Sequence, residues 1–180
     1  MQRLDSRDPG FEQAFHALLA MKREVSDDVD AAVRAIVKDV RTRGDAALAD
    51  YTLRFDKVDV RSAGLEIGRA ERQAARAKAA PQAIAALELA AERIRFYHDK
   101  QKPRDERFTD ALGVSLGWRW TAVESAGLYV PGGQASYPSS VLMNAIPAKV
   151  AGVERLVMVV PTPNGAIDPL VLVAADIAGV

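Results

Sequence analysis

The sequence predicts an α/β protein: a helical N-terminal region followed by an incomplete βαβ unit on a partial parallel sheet. Three observations carry this. Apolar residues recur at helical spacing through most of the first hundred positions, and the period switches to alternation near position 112. The stretch from Ser125 to Pro163 then reads as strand, glycine turn, helix and strand.

Phe11 to Met21 predicts a short helix, and Ser26, followed by Asp27 and Asp28, predicts the cap of a second. Val29, Val33, Ile36, Val37 and Val40 give that helix one apolar stripe. Gly44 marks its stop and Asp45 the next cap, so the Arg43-Gly44-Asp45 tripeptide is read as a helix junction rather than an adhesion motif. A third helix follows, with Leu48, Tyr51, Thr52 and Phe55 within reach of one side. From Gly68 the alanine-rich run predicts two more helices, with Pro81 in a first turn and Pro103 past the second stop. Ile84, Leu87, Ala91, Ile94 and Tyr97 form the expected buried face of the second of these. No repeat period is present, which excludes a solenoid.

Lys102 to Asp110 is polar and reads as a connection. In the segment beyond it, Val114, Leu116, Trp118 and Trp120 alternate with polar or small residues, as a half-buried strand or hairpin arm would. The domain reading is therefore a mainly helical region at 1–110, a strand or hairpin connection at 111–126, and the first, truncated part of an α/β domain at 127–180.

Gly127 to Val130 predicts a buried strand ended by Pro131-Gly132-Gly133. Ser139 or Ser140 is placed to cap the next helix, in which Val141, Leu142, Ala145, Ile146 and Val150 face inward and Pro147 demands a kink or a break. Ala151-Gly152 closes it, and Arg155 to Val160 is a continuous apolar run of the kind buried on both faces of a parallel sheet. Asp168 to Ala178 predicts another helix with Gly179 as its cap, so Val180 would open a further strand and the chain would stop in mid-fold.

Ligands of such sheets gather outside the carboxyl ends of the strands, where Tyr129 to Gln134 and Pro161 to Gly165 leave the sheet. Glycines there let backbone approach a phosphate or a ribose. The turn is nonetheless neither G-x-G-x-x-G nor a Walker sequence, so by spacing alone it is either a nucleotide cradle or a corner.

Composition narrows the function classes. The 24 basic and 24 acidic residues cancel, which excludes the basic footprint of a nucleic-acid binder. Without cysteine there is no disulfide, thiolate nucleophile or cysteine metal site, and His16 and His98 are the only imidazoles. Both are read as structural or surface groups. No signal-peptide or membrane-spanning run is present, so a cytoplasmic location with no membrane partner is expected.

Three segments together carry a resemblance: "RGDAALADYTLRFDK" at 43–57, "ERIRFYHDKQKP" at 92–103, and above all "GLYVPGGQASYPSSVLMNAIPAKVAG" at 127–152 followed by "VVPTP" at 159–163. The chain resembles the amino-terminal part of the histidinol dehydrogenase family. The resemblance implies NAD-dependent oxidation of L-histidinol to L-histidine through an aldehyde, a bound zinc ion, a homodimer in the full-length form, and a Rossmann-like cofactor domain beginning at residue 127. It implies cofactor contacts at Tyr129, Pro131, Gly132, Gly133 and Pro161, with Phe55 near the adenine. It also implies that the zinc ligands, the acid/base pair and the substrate-binding residues lie beyond position 180. On the residues alone two alternatives stand beside it, a non-catalytic helical interaction module and a phosphate-binding α/β domain of another enzyme class.

Overall fold

The structure, a computed structural model, describes residues 3–132 and 136–180, and of residues 21–28 the helical backbone alone. The chain divides into two compact units, residues 1–51 and 52–180.

In the first unit α1 (Phe11–Arg43) is a single helix of 33 residues. The sequence reading divided it at Ser26; the helix instead runs through that position. No Gly or Pro stands between 11 and 43, and a break would strand backbone groups at two extra helix ends. The capping role expected of the Ser26 side chain lies outside the described residues. Of the apolar stripe, Ile36 and Val40 are half-buried while Val29, Val33 and Val37 are exposed. Gly44 stops α1, its N–H donating to the Val40 carbonyl at 2.8 Å, and Asp45 opens α2 (Asp45–Asp56) as the acid of its first turn.

Arg43 secures this junction. Its guanidinium donates to both carboxylate oxygens of Asp39 at 2.8 and 2.7 Å and to Asp50 at 2.9 Å. The hydrogen bonds from Arg43 hold the Asp39 carboxyl below its ordinary value, with a smaller contribution from Tyr51, and the two carboxylates push the guanidinium of Arg43 up.

The second unit contains α3 (Val60–Ala63), α4 (Arg69–Lys78) and α5 (Pro81–Gln101), then β1 (Glu106–Thr109), β2 (Ser115–Trp118), β3 (Ser125–Tyr129), α6 (Pro138–Ala151), β4 (Arg155–Val159), a 3-10 turn (Pro163–Gly165) and α7 (Pro169–Ala178). The Gly68 N–H donates to Glu71 at 2.8 Å to begin α4, and Pro81 occupies the first turn of α5, where its missing N–H costs nothing. Along α5, Ala91 is buried and Ile84, Leu87 and Ile94 are half-buried, but Tyr97 is exposed, one position outside the covered stripe.

The segment read as a polar connection contains a strand. β1 pairs antiparallel with β2, Glu106 opposite Trp118 and Thr109 opposite Ser115. The hairpin is also exposed where partial burial was expected: Val114, Leu116, Trp118 and Trp120 all keep about half of their surface or more in solvent. Its aromatic residues find partners within the ribbon. Phe108 meets Trp118 edge-on at 6.0 Å, and the Trp118 indole N–H donates to the Arg104 carbonyl at 3.1 Å.

β3 and β4 form the expected parallel pair, Ser125 opposite Arg155 and Tyr129 opposite Val159. Only one face of it is covered. Ala126, Leu128, Val130, Leu156, Met158 and Val160 point into the core with α5, α6 and α7, while Tyr129, Val157 and Val159 lie on the open side, 63, 46 and 58% exposed. The two-faced burial read from the apolar run of β4 is thus corrected, because the two strands have helices on one side alone among the described residues.

The centre of the core is α6. Leu142, Ile146 and Val141 are fully buried with Val130 of the strand end and Val173 of α7. The helix continues past Pro147 without ending, at the cost of the hydrogen bond that an N–H there would make. Gly152 closes it in the left-handed region, φ 98°, which a residue with a Cβ rarely adopts.

Candidate functional site

The carboxyl ends of β3 and β4 are held together one residue beyond the strands, where the buried Val130 N–H donates to the Val159 carbonyl at 3.0 Å. The two chains then leave the sheet side by side, one through Pro131-Gly132 and the other through Val160-Pro161-Thr162. Their approach is close. A Cβ placed on Gly132 would stand 2.8 Å from the Pro161 carbonyl oxygen and 3.3 Å from its ring Cδ, so only glycine fits.

Two helix starts face this crossing. α6 begins at Pro138 with Tyr137 as its cap residue, whose side chain makes no capping hydrogen bond. Ser139 and Ser140, read as caps, are instead inside the helix, since Pro138 has the fixed φ suited to a first helical residue and starts it earlier. The Tyr137 carbonyl accepts from the Ser140 N–H at 3.0 Å. α7 is capped by Asp168, whose carboxylate accepts from the Leu170 N–H at 2.7 Å, with Pro169 next to it.

Between these parts lies a cavity of about 100 Å³ lined by Pro131, Gly132, Ser136, Val160, Pro161 and Asp168, among others. Asp168 is the one ionisable side chain in that lining among the described residues. The cavity therefore combines approachable backbone with a single carboxylate, which accepts hydrogen bonds from donors.

Of the residues singled out from sequence, the structure brings Pro131, Gly132 and Pro161 to this cavity. Tyr129 stands just before it on the open sheet face, and Phe55 sits exposed near the end of α2, the Arg54 guanidinium 5.1 Å from its ring centre. Neither lines the cavity. Gly133 lies outside the described residues. Ser136 and Asp168 were missed as site residues. For Asp168 a signal existed: Asp-Pro ahead of an apolar helix marks a cap, which puts its carboxylate at a helix start beyond the second strand of the βαβ unit.

A larger cavity, about 600 Å³, opens at the opposite, amino end of the pair between His98, Lys102, Arg104, Trp120, Pro147 and Ala151. His98 is half-buried there with its ring edge-on to Tyr97 at 5.2 Å, whereas His16 is exposed, 3.8 Å from Glu12. Among the described residues no three His, Cys, Asp or Glu side chains are grouped to hold a metal ion, and no helix is long and apolar enough to cross a membrane.

The sequence model of one family, described as "Histidinol dehydrogenase", matches residues 19–180. The chain belongs to the histidinol dehydrogenase family. It is 63% identical over 177 residues to the histidinol dehydrogenase of Mesorhizobium japonicum and 60% identical over 177 residues to that of Rhodopseudomonas palustris. In both cases the match covers 98% of this chain and 41% of the relative, so the chain spans about two fifths of the length of these histidinol dehydrogenases. The crystal structure of histidinol dehydrogenase from Elizabethkingia anophelis superposes with a TM-score of 0.80 at 31% identity, over 86% of this chain and 36% of that one. Over the matched part, the mixed α/β fold of this chain is that of the solved histidinol dehydrogenase.

Proposed function

We propose that the chain supplies the first part of the NAD-binding domain, residues 127–180, of an enzyme that oxidises L-histidinol to L-histidine through the aldehyde. In this reading residues 1–110 are the helical region, 111–126 the connection, and the full-length form is a cytoplasmic homodimer. The observation that supports it most is the crossing of Gly132 over Pro161 at the carboxyl ends of a parallel pair, in a chain 63% identical to a histidinol dehydrogenase. A backbone crowded to that degree, beside a cavity and two helix starts, is the arrangement by which α/β sheets admit a dinucleotide. The residues present therefore fit NAD.

Bound NAD supplies the hydride acceptor. This chain's residues do the holding: Pro131, Gly132 and Pro161 shape the floor, and the Tyr129 ring, exposed on the open sheet face, packs on the cofactor. Phe55 offers a second exposed aromatic surface for the adenine. The described residues do not fit zinc, and no step is assigned to a metal within the chain. Among the described residues the cavity lining also offers no general base for the hydroxyl proton, since its one carboxylate already caps a helix. The chain alone is accordingly expected to bind cofactor without turning over histidinol. The rival reading, a phosphate-binding domain of another enzyme class, is disfavoured by the match to the histidinol dehydrogenase family.

Calorimetric titration with NAD tests this. Tyr129→Ala should weaken binding by about 1 to 3 kcal/mol and Tyr129→Phe by less, since the ring contact outlasts the hydroxyl. Unchanged affinity in a well-folded Tyr129→Ala variant would return the glycine turn to being a corner.

A further inference from the structure

We propose that the cavity of about 600 Å³ at the amino ends of β3 and β4 binds a small ligand made of a flat ring bearing an anionic group, a carboxylate or a phosphate. Its lining comes from three parts of the second unit: the end of α5 with the segment after it, the segment between β2 and β3, and the last turns of α6. None of these residues takes part in the crossing of Gly132 and Pro161, so failure of the dinucleotide reading would leave this site untouched.

Size points to a whole small molecule. A volume of about 600 Å³ lies within the roughly 300 to 1,000 Å³ of small-molecule sites, whereas the cavity at the carboxyl ends, about 100 Å³, lies below it.

The walls select a flat ring. Pro147, Val150 and Ala151 of α6 make one side apolar, and Trp120 brings an indole to the lining with 61% of its surface in solvent. Phe108 and Trp118 spend their rings on each other within the hairpin, but Trp120 is outside that pair. A planar ring laid on the indole would remove apolar surface from water on both partners.

Charge selects an anion. Lys102 and Arg104 share the lining with one carboxylate, that of Asp105, whose Oδ1 already accepts from the Trp120 N–H at 2.7 Å. Two cations beside one engaged carboxylate favour a negative group on the ligand. The same bond also builds the site. It ties the segment that carries Lys102 and Arg104 to the backbone of Trp120, and a second bond, from the Trp118 indole N–H to the Arg104 carbonyl at 3.1 Å, holds the two segments together again. Ring platform and cations thus stand in a fixed relation before a ligand arrives, which lowers the cost of ordering them.

The test uses the two tryptophans of the chain. Trp118→Phe leaves Trp120 as the one fluorophore, and its quenching reports occupancy. Because that change also removes the bond to the Arg104 carbonyl, the same titrations are read by calorimetry in the unsubstituted chain. The probes are benzoate and phenyl phosphate, with benzamide as the ring without charge and cyclohexanecarboxylate as the charge without a flat ring. The expected result is saturable binding of at least one aromatic anion, about fivefold or more tighter than either control and weakened by about 0.5 M NaCl. Preference for benzoate assigns a carboxylate ligand, and preference for phenyl phosphate a phosphate ester. Lys102→Ala combined with Arg104→Ala should lose about five- to tenfold in affinity at nearly constant Tm, since both side chains are exposed. Ala151→Leu, at an exposed position of the apolar wall, should weaken all binding by filling the cavity. Absence of saturable binding of both anions would overturn the proposal. So would benzamide and cyclohexanecarboxylate binding as tightly as the anions, or undiminished binding in whichever of the variants keeps its thermal transition.

Discussion

Replacing Gly132 by alanine probes the crossing of the two strand ends directly. The added Cβ would lie 2.8 Å from the Pro161 carbonyl oxygen, and reaching ordinary contact at 3.4 Å requires the two segments to part by about 0.6 Å. They are not free to do so. Val130 is fully buried and bonded to the Val159 carbonyl just before the turn, and Val160 packs against the core just before Pro161. Overpacking of this kind costs about 1 to 3 kcal/mol, which for a chain of this size lowers Tm by roughly 3 to 10 °C. Gly132 does not have a positive φ, so the loss would come from crowding and not from backbone conformation. Gly127→Ala is the control, because a Cβ there meets nothing within 4 Å and a strand interior gains from losing its glycine. Chemical denaturation of both variants gives the comparison. A Gly132→Ala protein as stable as the parent, or a Gly127→Ala protein that loses as much, would refute the reasoning.

Three further outcomes follow from the packing and the charges. Ile146→Ala removes a fully buried side chain from the middle of α6 and should cost about 2 to 5 kcal/mol in urea unfolding. The one-sided cover of the β3–β4 pair predicts that Leu156→Ala costs about 2 kcal/mol or more while Val159→Thr, on the open face, changes stability by less than about 0.5 kcal/mol. Asp39, its pKa lowered chiefly by hydrogen bonds from Arg43, should titrate below 3.8 in carboxyl-carbon NMR and move back toward it in Arg43→Ala. Because the folded-state value is the depressed one, the contribution of this pair is complete above pH 3.8 and is lost as the pH falls through the lowered value.

Local chemistry that acts at a single point was legible in the sequence. Gly44, Pro81 and Gly152 each impose or permit one backbone conformation, and each stands where a helix stops or starts as read. The βαβ unit was legible for a similar reason: a glycine turn and a run of β-branched residues bracket an apolar helix. What periodicity could not tell was how much cover each apolar face receives. Trp118 and Trp120 alternate as a half-buried strand would, and Val157 and Val159 sit in a run that looks buried on both sides, yet exposure depends on which neighbours the tertiary fold supplies. The charged strand Glu106–Thr109 was hidden because its pairing with β2 comes from a partner and a turn rather than from its own propensity. In the site, Pro131, Gly132 and Pro161 announced themselves by their backbone character, whereas Asp168 looked like a helix cap, which it also is.

The two ways in which this chain pairs its strands also set an order in time. In the β1–β2 hairpin the nearest partners, Thr109 and Ser115, are six residues apart, so the ribbon can close from its turn on the microsecond scale without help from the rest of the protein. β3 and β4 are partners at a separation of thirty residues, Ser125 with Arg155, and nothing joins them until α6 has formed and presented Leu142 and Ile146 as a common floor. The hairpin, exposed along its length, closes early and reopens readily. Lasting protection of backbone amides therefore arrives with the helix between the parallel strands, and the strand ends that cross at Gly132 are among the last parts of the second unit to take their places.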